Sequence, residues 1–162
     1  MTAQGASPGE QDKPMPQSLS NILVHLVFST KGRRPFIRQE LEDELWRYLA
    51  AACTAHDCQA HRVGGTVDHV HILCGLGRTT AVSKLMVEVK TSSSKWMKAK
   101  GVDMFGWQNG YGAFSIGQSQ YQNVVAYIAG QKEHHRRWTF QEEYREFLRK
   151  YGVQYDEQYV WD

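Results

Sequence analysis

The sequence predicts an α+β fold: an antiparallel sheet of the ferredoxin-like type with helices packed against it. Three observations predict it. Four short β-rich runs punctuate the chain, and two long amphipathic runs lie between them. The resulting order is strand, helix, strand, strand, helix, strand, then two more helices.

Each element follows from its local pattern. Ile22 to Thr30 is a continuous apolar run that reads as a buried strand, and Gly32 and Pro35 break the chain after it. Glu40 to His56 carries Leu41, Leu45, Tyr48, Leu49 and Ala52 at helical spacing. Gln59 to Thr66 reads as a second strand, which Gly64 and Gly65 are expected to bulge or bend. His69 to Leu76 is a third strand, closed by Gly75 and Gly77. Thr80 to Lys100 is a long helix with Val82, Leu85, Met86, Val89 and Trp96 toward the core, stopped by Gly101. After a loop, Tyr111 to Ile116 forms the fourth strand. One helix is expected from Ser119 or Gln120 to about His135. Thr139 and Glu142 make a capping box for the last helix, which ends near Gly152. The aromatic tail, Val153 to Asp162, is expected to pack on the body.

Residues 1–17 hold three of the four prolines and few apolar residues, which predicts a disordered extension ahead of one domain at 18–162. Met15 offers an alternative start. Apolar content of 41% and charged content of 22% are ordinary for a globular chain. No apolar run approaches the ~18 residues that span a bilayer, and the N-terminus lacks the apolar middle of a signal peptide. These features predict a cytoplasmic protein with no membrane partner. The odd count of three cysteines agrees with that. Cys53 and Cys58 flank His56 but lack a second ligand pair at finger spacing, so ordinary thiols are the better reading than structural zinc.

Net charge is only +2, yet the basic residues cluster at Lys31 to Arg38, at Lys84 to Lys100 and at Lys132 to Arg137, while acidic residues gather at Glu40 to Glu44 and Glu142 to Glu146. Any one such cluster alone reads as a solvated face.

Two features carry chemistry. In Asp68-His69-Val70-His71, strand alternation puts His69 and His71 on one face and Val70, Ile72 and Cys74 on the other. Two imidazoles on a rigid strand can grip one divalent ion, or can simply be hydrogen-bonded structural groups. In the later helix, Tyr127 and Gln131 stack four residues apart along the edge of an apolar face. Two imidazoles, an amide oxygen and a phenol together suit metal-assisted attack on a phosphodiester.

These residues resemble a known group. His69-Val70-His71 is similar to the histidine-hydrophobic-histidine signature of the HUH nucleases. Tyr127-Ile128-Ala129-Gly130-Gln131 resembles the Tyr-x-x-x-Gln helix of the small single-tyrosine HUH transposases, those of the insertion-sequence 200 type and the REP-associated tyrosine transposases. Val24 to Lys31 and the stretch from His134 through Glu143 to Glu157 extend the likeness across residues 18–162.

The resemblance implies a DNA transposase that cuts and rejoins single-stranded, hairpin-forming DNA. Tyr127 would be the nucleophile, leaving a 5′-phosphotyrosine. His69, His71 and Gln131 would hold Mg²⁺ or Mn²⁺. Asp68 either orients an imidazole or only ends the turn. Arg33, Arg34, Lys90, Lys95 and Lys98 become expected contacts to the DNA backbone, and Trp96, Trp107 or Tyr111 expected stacking platforms, with Trp96 fitting the core better. His25, His56, His61 and His134 read as structural. Relatives of this kind are dimers in some cases, with the tyrosine helix completing the partner's site, and monomers in others; the short chain favours a homodimer. The alternatives are an idle hairpin-binding protein and a replication-initiator or relaxase nuclease.

Overall fold

A computed structural model of the chain describes residues 16–162. The disorder expected at 1–17 therefore falls almost wholly outside the described residues.

The strands are β1 (Leu23–Ser29), β2 (Ala60–Gly65), β3 (His69–Gly75) and β4 (Gly112–Ile116). The helices are α1 (Gln39–Ala55), α2 (Val82–Ala99), α3 (Tyr121–Ala129), α4 (Gln131–His134) and α5 (Phe140–Lys150). The sheet runs β2-β3-β1-β4 and every pairing is antiparallel. This is the ferredoxin-like arrangement expected from the element order.

Strand alternation splits the sheet into two faces. Val24, Leu26 and Phe28 of β1 and Val70, Ile72 and Cys74 of β3 pack with Leu45 and Leu49 of α1 and Leu85, Met86 and Val89 of α2. The opposite face carries Leu23 and Val27 of β1, Leu73 of β3, and Phe114 and Ile116 of β4. Ile128 of α3 and Phe140, Tyr144 and Leu148 of α5 cover it. His25, His69 and His71 point to this second face and are buried there. The sheet is thus the middle of three layers, and His25, His69 and His71 lie between the sheet and α3 to α5.

Two glycines let those helices come close. A Cβ on Gly64 would sit 2.8 Å from the Ile128 backbone oxygen in α3. A Cβ on Gly112 would sit 2.7 Å from Cε2 of Tyr144 in α5. Gly64→Ala should therefore push α3 off β2 and destabilise the fold by about 1–3 kcal/mol, as overpacking does. Thermal denaturation measures this, and an unchanged Tm would show that α3 is not packed so tightly.

Of the bulge or bend expected at Gly64 and Gly65, the bulge does not fall there. The register shift falls at Ala60 and Arg62. The helix expected from 119 to 135 is also divided. Gly130 ends α3, as its poor helix propensity allows, and α4 begins at Gln131. Thr139 caps α5 as its sequence predicts, its side chain accepting from the Glu142 backbone N–H. The tail does pack on the body: Val160 and Trp161 lie against the α5 side of the core, and the Asp162 backbone oxygen accepts from Gly110 at 3.1 Å. No helix among the described residues is long and apolar enough to cross a membrane.

Candidate active site

The site begins with the strand register. β3 places His69 opposite Ser29 and His71 opposite Val27. The two imidazole rings lie 5.2 Å apart on one sheet face. Both are fully buried, as are Gln131 and Glu143 apart from a few per cent of their surface.

Each imidazole is oriented from behind. His69 Nδ1 lies 2.8 Å from Asp68 Oδ1 and 2.9 Å from Thr66 Oγ1. Donation from Nδ1 to the carboxylate leaves Nε2 as the free nitrogen. Asp68 thus orients an imidazole and does more than end a turn. Burial would raise its carboxyl, but the His69 hydrogen bond and charge outweigh this and hold it below its usual value. His71 Nδ1 lies 2.8 Å from His25 Nε2, and His71 Nε2 lies 2.8 Å from Glu143 Oε1.

Gln131 enters from the start of α4. Its Nε2 donates to the Tyr127 backbone oxygen at 3.3 Å, which turns its Oε1 toward His69 Nε2 at 3.0 Å. Glu143 Oε1 is 3.6 Å from the same nitrogen. When His69 is neutral, its Nε2 lone pair and two oxygen acceptors face one another with no proton between them. Such a convergence of acceptors suits a cation. His69, His71, His135 and Glu143 each offer a ligand atom, all within 4.8 Å of one another.

Tyr127 reaches the same place from α3. Its hydroxyl donates to Glu143 Oε2 and lies 3.3 Å from His134 Nε2. Its ring is 5.7 Å from the His71 ring. Burial, and then the Glu143 charge, push its pKa well above the usual phenol range. All the residues that the sequence groups for chemistry, His69, His71, Tyr127 and Gln131, therefore meet within one chain.

Glu143 joins them at the centre. Its Oε2 also meets His135 Nε2 at 3.1 Å and His134 Nε2 at 3.2 Å. Burial would raise its carboxyl, but the His71 charge and hydrogen bonds from His135 and His71 hold it far below its usual value. The acidic run at 142–146 is thus not remote from the site. A signal existed in the sequence: Glu143 interrupts the apolar stripe Phe140, Tyr144, Phe147, Leu148 on the buried face of α5. His25 and His134, read as merely structural, also belong to the cluster. His56 and His61 do not; they pair with Glu88 at 3.9 Å and with the Tyr121 hydroxyl at 3.1 Å.

The cluster makes folding sensitive to acid. Burial, then the nearby His71, holds the His25 pKa well below 6.5, and burial lowers His71 as well. A lowered histidine contributes stability that is complete above the unfolded pKa and is lost as the pH falls below it. The lowered Glu143 contributes stability present above its unfolded value of 4.5 and lost below it. His135 opposes them: burial lowers it, but the Glu143 hydrogen bond and charge raise it overall, so its contribution fades as the pH rises. Burial lowers His134 too, so three lowered histidines oppose one raised, and Tm should fall as the pH drops through about 6.5 and again below about 4.5. Thermal melts from pH 8 to pH 3 test this; a flat profile would contradict the protonation pattern.

Residues 18–131 match the sequence profile of the family described as Transposase IS200 like. The chain belongs to the IS200-like transposase family. Two solved structures share its fold. A candidate transposase from Deinococcus radiodurans R1 aligns with a TM-score of 0.57 at 19% identity, over 74% of this chain and 98% of that one. A REP-associated tyrosine transposase bound to a REP hairpin aligns with a TM-score of 0.54 at 16% identity, over 77% of this chain and 74% of that one. No curated protein matches the chain.

In this IS200-like transposase the basic residues divide by role. Lys90 Nζ donates to the backbone oxygens of Gln108, Asn109 and Gly110 at 2.9, 3.3 and 2.5 Å, and burial pulls its pKa down to about 8. Lys90 is therefore a strut for the 108–110 loop. Arg33 lies over the Trp161 ring at 5.8 Å. Arg34, Lys95 and Lys98 are exposed. Trp107 is buried and donates to Ser93 Oγ at 2.9 Å, Trp96 stacks on Tyr48, and Tyr111 lies under Lys90. None of these three rings stands free as a base platform. Cys53, Cys58 and Cys74 are buried free thiols outside the metal-capable group.

Proposed function

We propose that this chain is a tyrosine transposase that cleaves and rejoins single-stranded, hairpin-forming DNA at the His69, His71, Tyr127 centre. The observation that carries this reading is the convergence of the Tyr127 hydroxyl, Gln131 Oε1 and Glu143 on two oriented imidazoles within one chain. The family match supports the transposase reading, and the hairpin bound by one fold neighbour supports the substrate class.

The residues present fit a divalent ion. Their donors are imidazole nitrogens, one amide oxygen and one carboxylate. That mixed set suits Mn²⁺ better than Mg²⁺, which prefers oxygen alone. A bound ion would polarise a phosphate oxygen and offset charge building on the phosphorus.

The chain's own residues do the rest. Tyr127 Oη attacks the phosphorus and the bond to the 3′ oxygen breaks. This forms a 5′-phosphotyrosine and releases a 3′-hydroxyl. The phenol proton passes first to the His134–Glu143 pair and finally to the leaving 3′ oxygen. Because burial and Glu143 disfavour a free phenolate, proton transfer accompanies attack rather than preceding it. A 3′-hydroxyl on another strand reverses the step and joins the strands, so no nucleotide cofactor is required. Exposed Arg34, Lys95 and Lys98 are the proposed backbone contacts. Residues 18–162 act as one domain in the cytoplasm. Every chain carries its own complete centre, so homodimerisation is compatible with the chemistry but not required by it.

Incubating the protein with Mn²⁺ and single-stranded hairpins from the flanks of its own gene tests this. A covalent protein–DNA adduct and a new 3′-hydroxyl end are expected. Hairpin binding with no adduct on any such substrate would favour an idle DNA-binding protein instead.

A further inference from the structure

Beside the nucleophile lies a cavity of about 510 Å³, between α3 and α5. That size falls within the ~300–1,000 Å³ range of small-ligand pockets. His25, Tyr127, His134 and Glu143 line it and are shared with the cleavage site. None of the chemistry described above uses the rest of it.

We propose that this cavity holds the unpaired base of a nucleotide next to the scissile phosphate. The inference rests on Tyr127 as nucleophile for the choice of nucleotide, but the occupancy of the cavity can be measured without cleavage.

Three observations point to a base. The first is the walls. Val124, Phe147, Tyr151 and Trp138 supply apolar and aromatic surface, and Trp138 is 52% exposed despite its size. Its ring lies nearly parallel to His134, at 10°, and Phe147 and Tyr151 are parallel within 14°. Flat, partly exposed rings beside a reacting centre are what an extruded base stacks on.

The second is the polar rim. Gln120 and Asn123 line the α3 side, and Asn123 Nδ2 donates to Gln120 Oε1 at 3.4 Å. That contact leaves the Asn123 oxygen and the Gln120 amino group free. One acceptor and one donor side by side can read a base edge.

The third is charge. Away from the cleavage centre, the exposed Glu142 and Glu146 line the cavity with the single lysine Lys150. A phosphate gains little on that side, whereas a neutral base would offer N–H groups that carboxylates accept. That side therefore favours a base over the DNA backbone. With the phosphate at Tyr127, continuity with the cleavage site leaves the adjoining nucleotide facing the opening.

The probe is a single-stranded hairpin oligonucleotide with a 5-iodopyrimidine or an 8-azidopurine placed at one position at a time. It is irradiated with the full chain in EDTA, so that nothing is cut. Peptide mapping should find one position whose base crosslinks to peptides carrying Trp138, Phe147 or Tyr151. In parallel, Trp138→Ala should weaken single-strand binding by about tenfold, and an abasic site at that position should remove the difference between variant and wild type. Crosslinks found only outside the cavity, or an abasic site that leaves the Trp138→Ala effect intact, would overturn the inference. An adduct in Mn²⁺ without a cavity crosslink would keep the nuclease and discard the pocket. A cavity crosslink without any adduct would keep the pocket and discard the nuclease.

Discussion

Tyr127→Phe should yield a folded protein that binds hairpin DNA and forms no covalent adduct. The substitution removes one oxygen. The ring keeps its neighbours, with Phe147 at 5.7 Å and His25 at 6.3 Å between centroids. Glu143 keeps hydrogen bonds to His71 and His135, so little else is left unpaired. Activity should nonetheless fall by about four orders of magnitude or more, the scale on which removal of a covalent nucleophile acts. Tyr111, Tyr121 and Tyr144 are not placed to replace it. Tyr121 is spent on His61, Tyr111 lies beneath Lys90, and Tyr144 is buried against Gly112. A gel resolving protein–DNA adducts reads the outcome. Adduct formation that survives Tyr127→Phe would reject this assignment while leaving the family membership untouched.

Glu143→Ala should do two kinds of damage. Glu143 is nearly fully buried and is the shared partner of His71, His134, His135 and Tyr127. Deleting one partner of a buried ionic cluster costs about 3–5 kcal/mol, because the groups left behind have no substitute. Tm should fall clearly at pH 7, and Mn²⁺ affinity measured by calorimetry should fall at least about tenfold. Glu143→Gln separates the two effects. Its amide can still bond His135 and Tyr127, so stability should largely return while Mn²⁺ affinity stays low. If Glu143→Ala melts with the wild type, the cluster does not hold α5 to the sheet. If Glu143→Gln binds Mn²⁺ normally, Gln131 is the oxygen ligand that matters.

Much of this was legible in the sequence, for reasons of periodicity. Alternation alone puts His69 and His71 on one sheet face, and the spacing of Tyr127 and Gln131 puts both on one helical edge. The structure brings those four together as that reasoning expects. Glu143 was harder to see, because its role depends on which face of the sheet α5 covers. That docking is decided by Gly112 and Tyr144, contacts far apart in sequence. The break at Gly130 was hidden by a helical pattern that continues across it. Lys90 read as a DNA contact because its charge is visible in sequence while the three carbonyls it satisfies are not.

The most direct test of the central claim is the chemical identity of the linked residue. The wild-type chain is incubated with Mn²⁺ and a single-stranded hairpin from its own gene flank. The DNA is digested to a single nucleotide, and the protein is analysed by tandem mass spectrometry after proteolysis. A nucleotide joined through its 5′ phosphate to Tyr127 is the predicted result. A nucleotide on any other residue, or cleaved DNA with no modified peptide, would contradict the account.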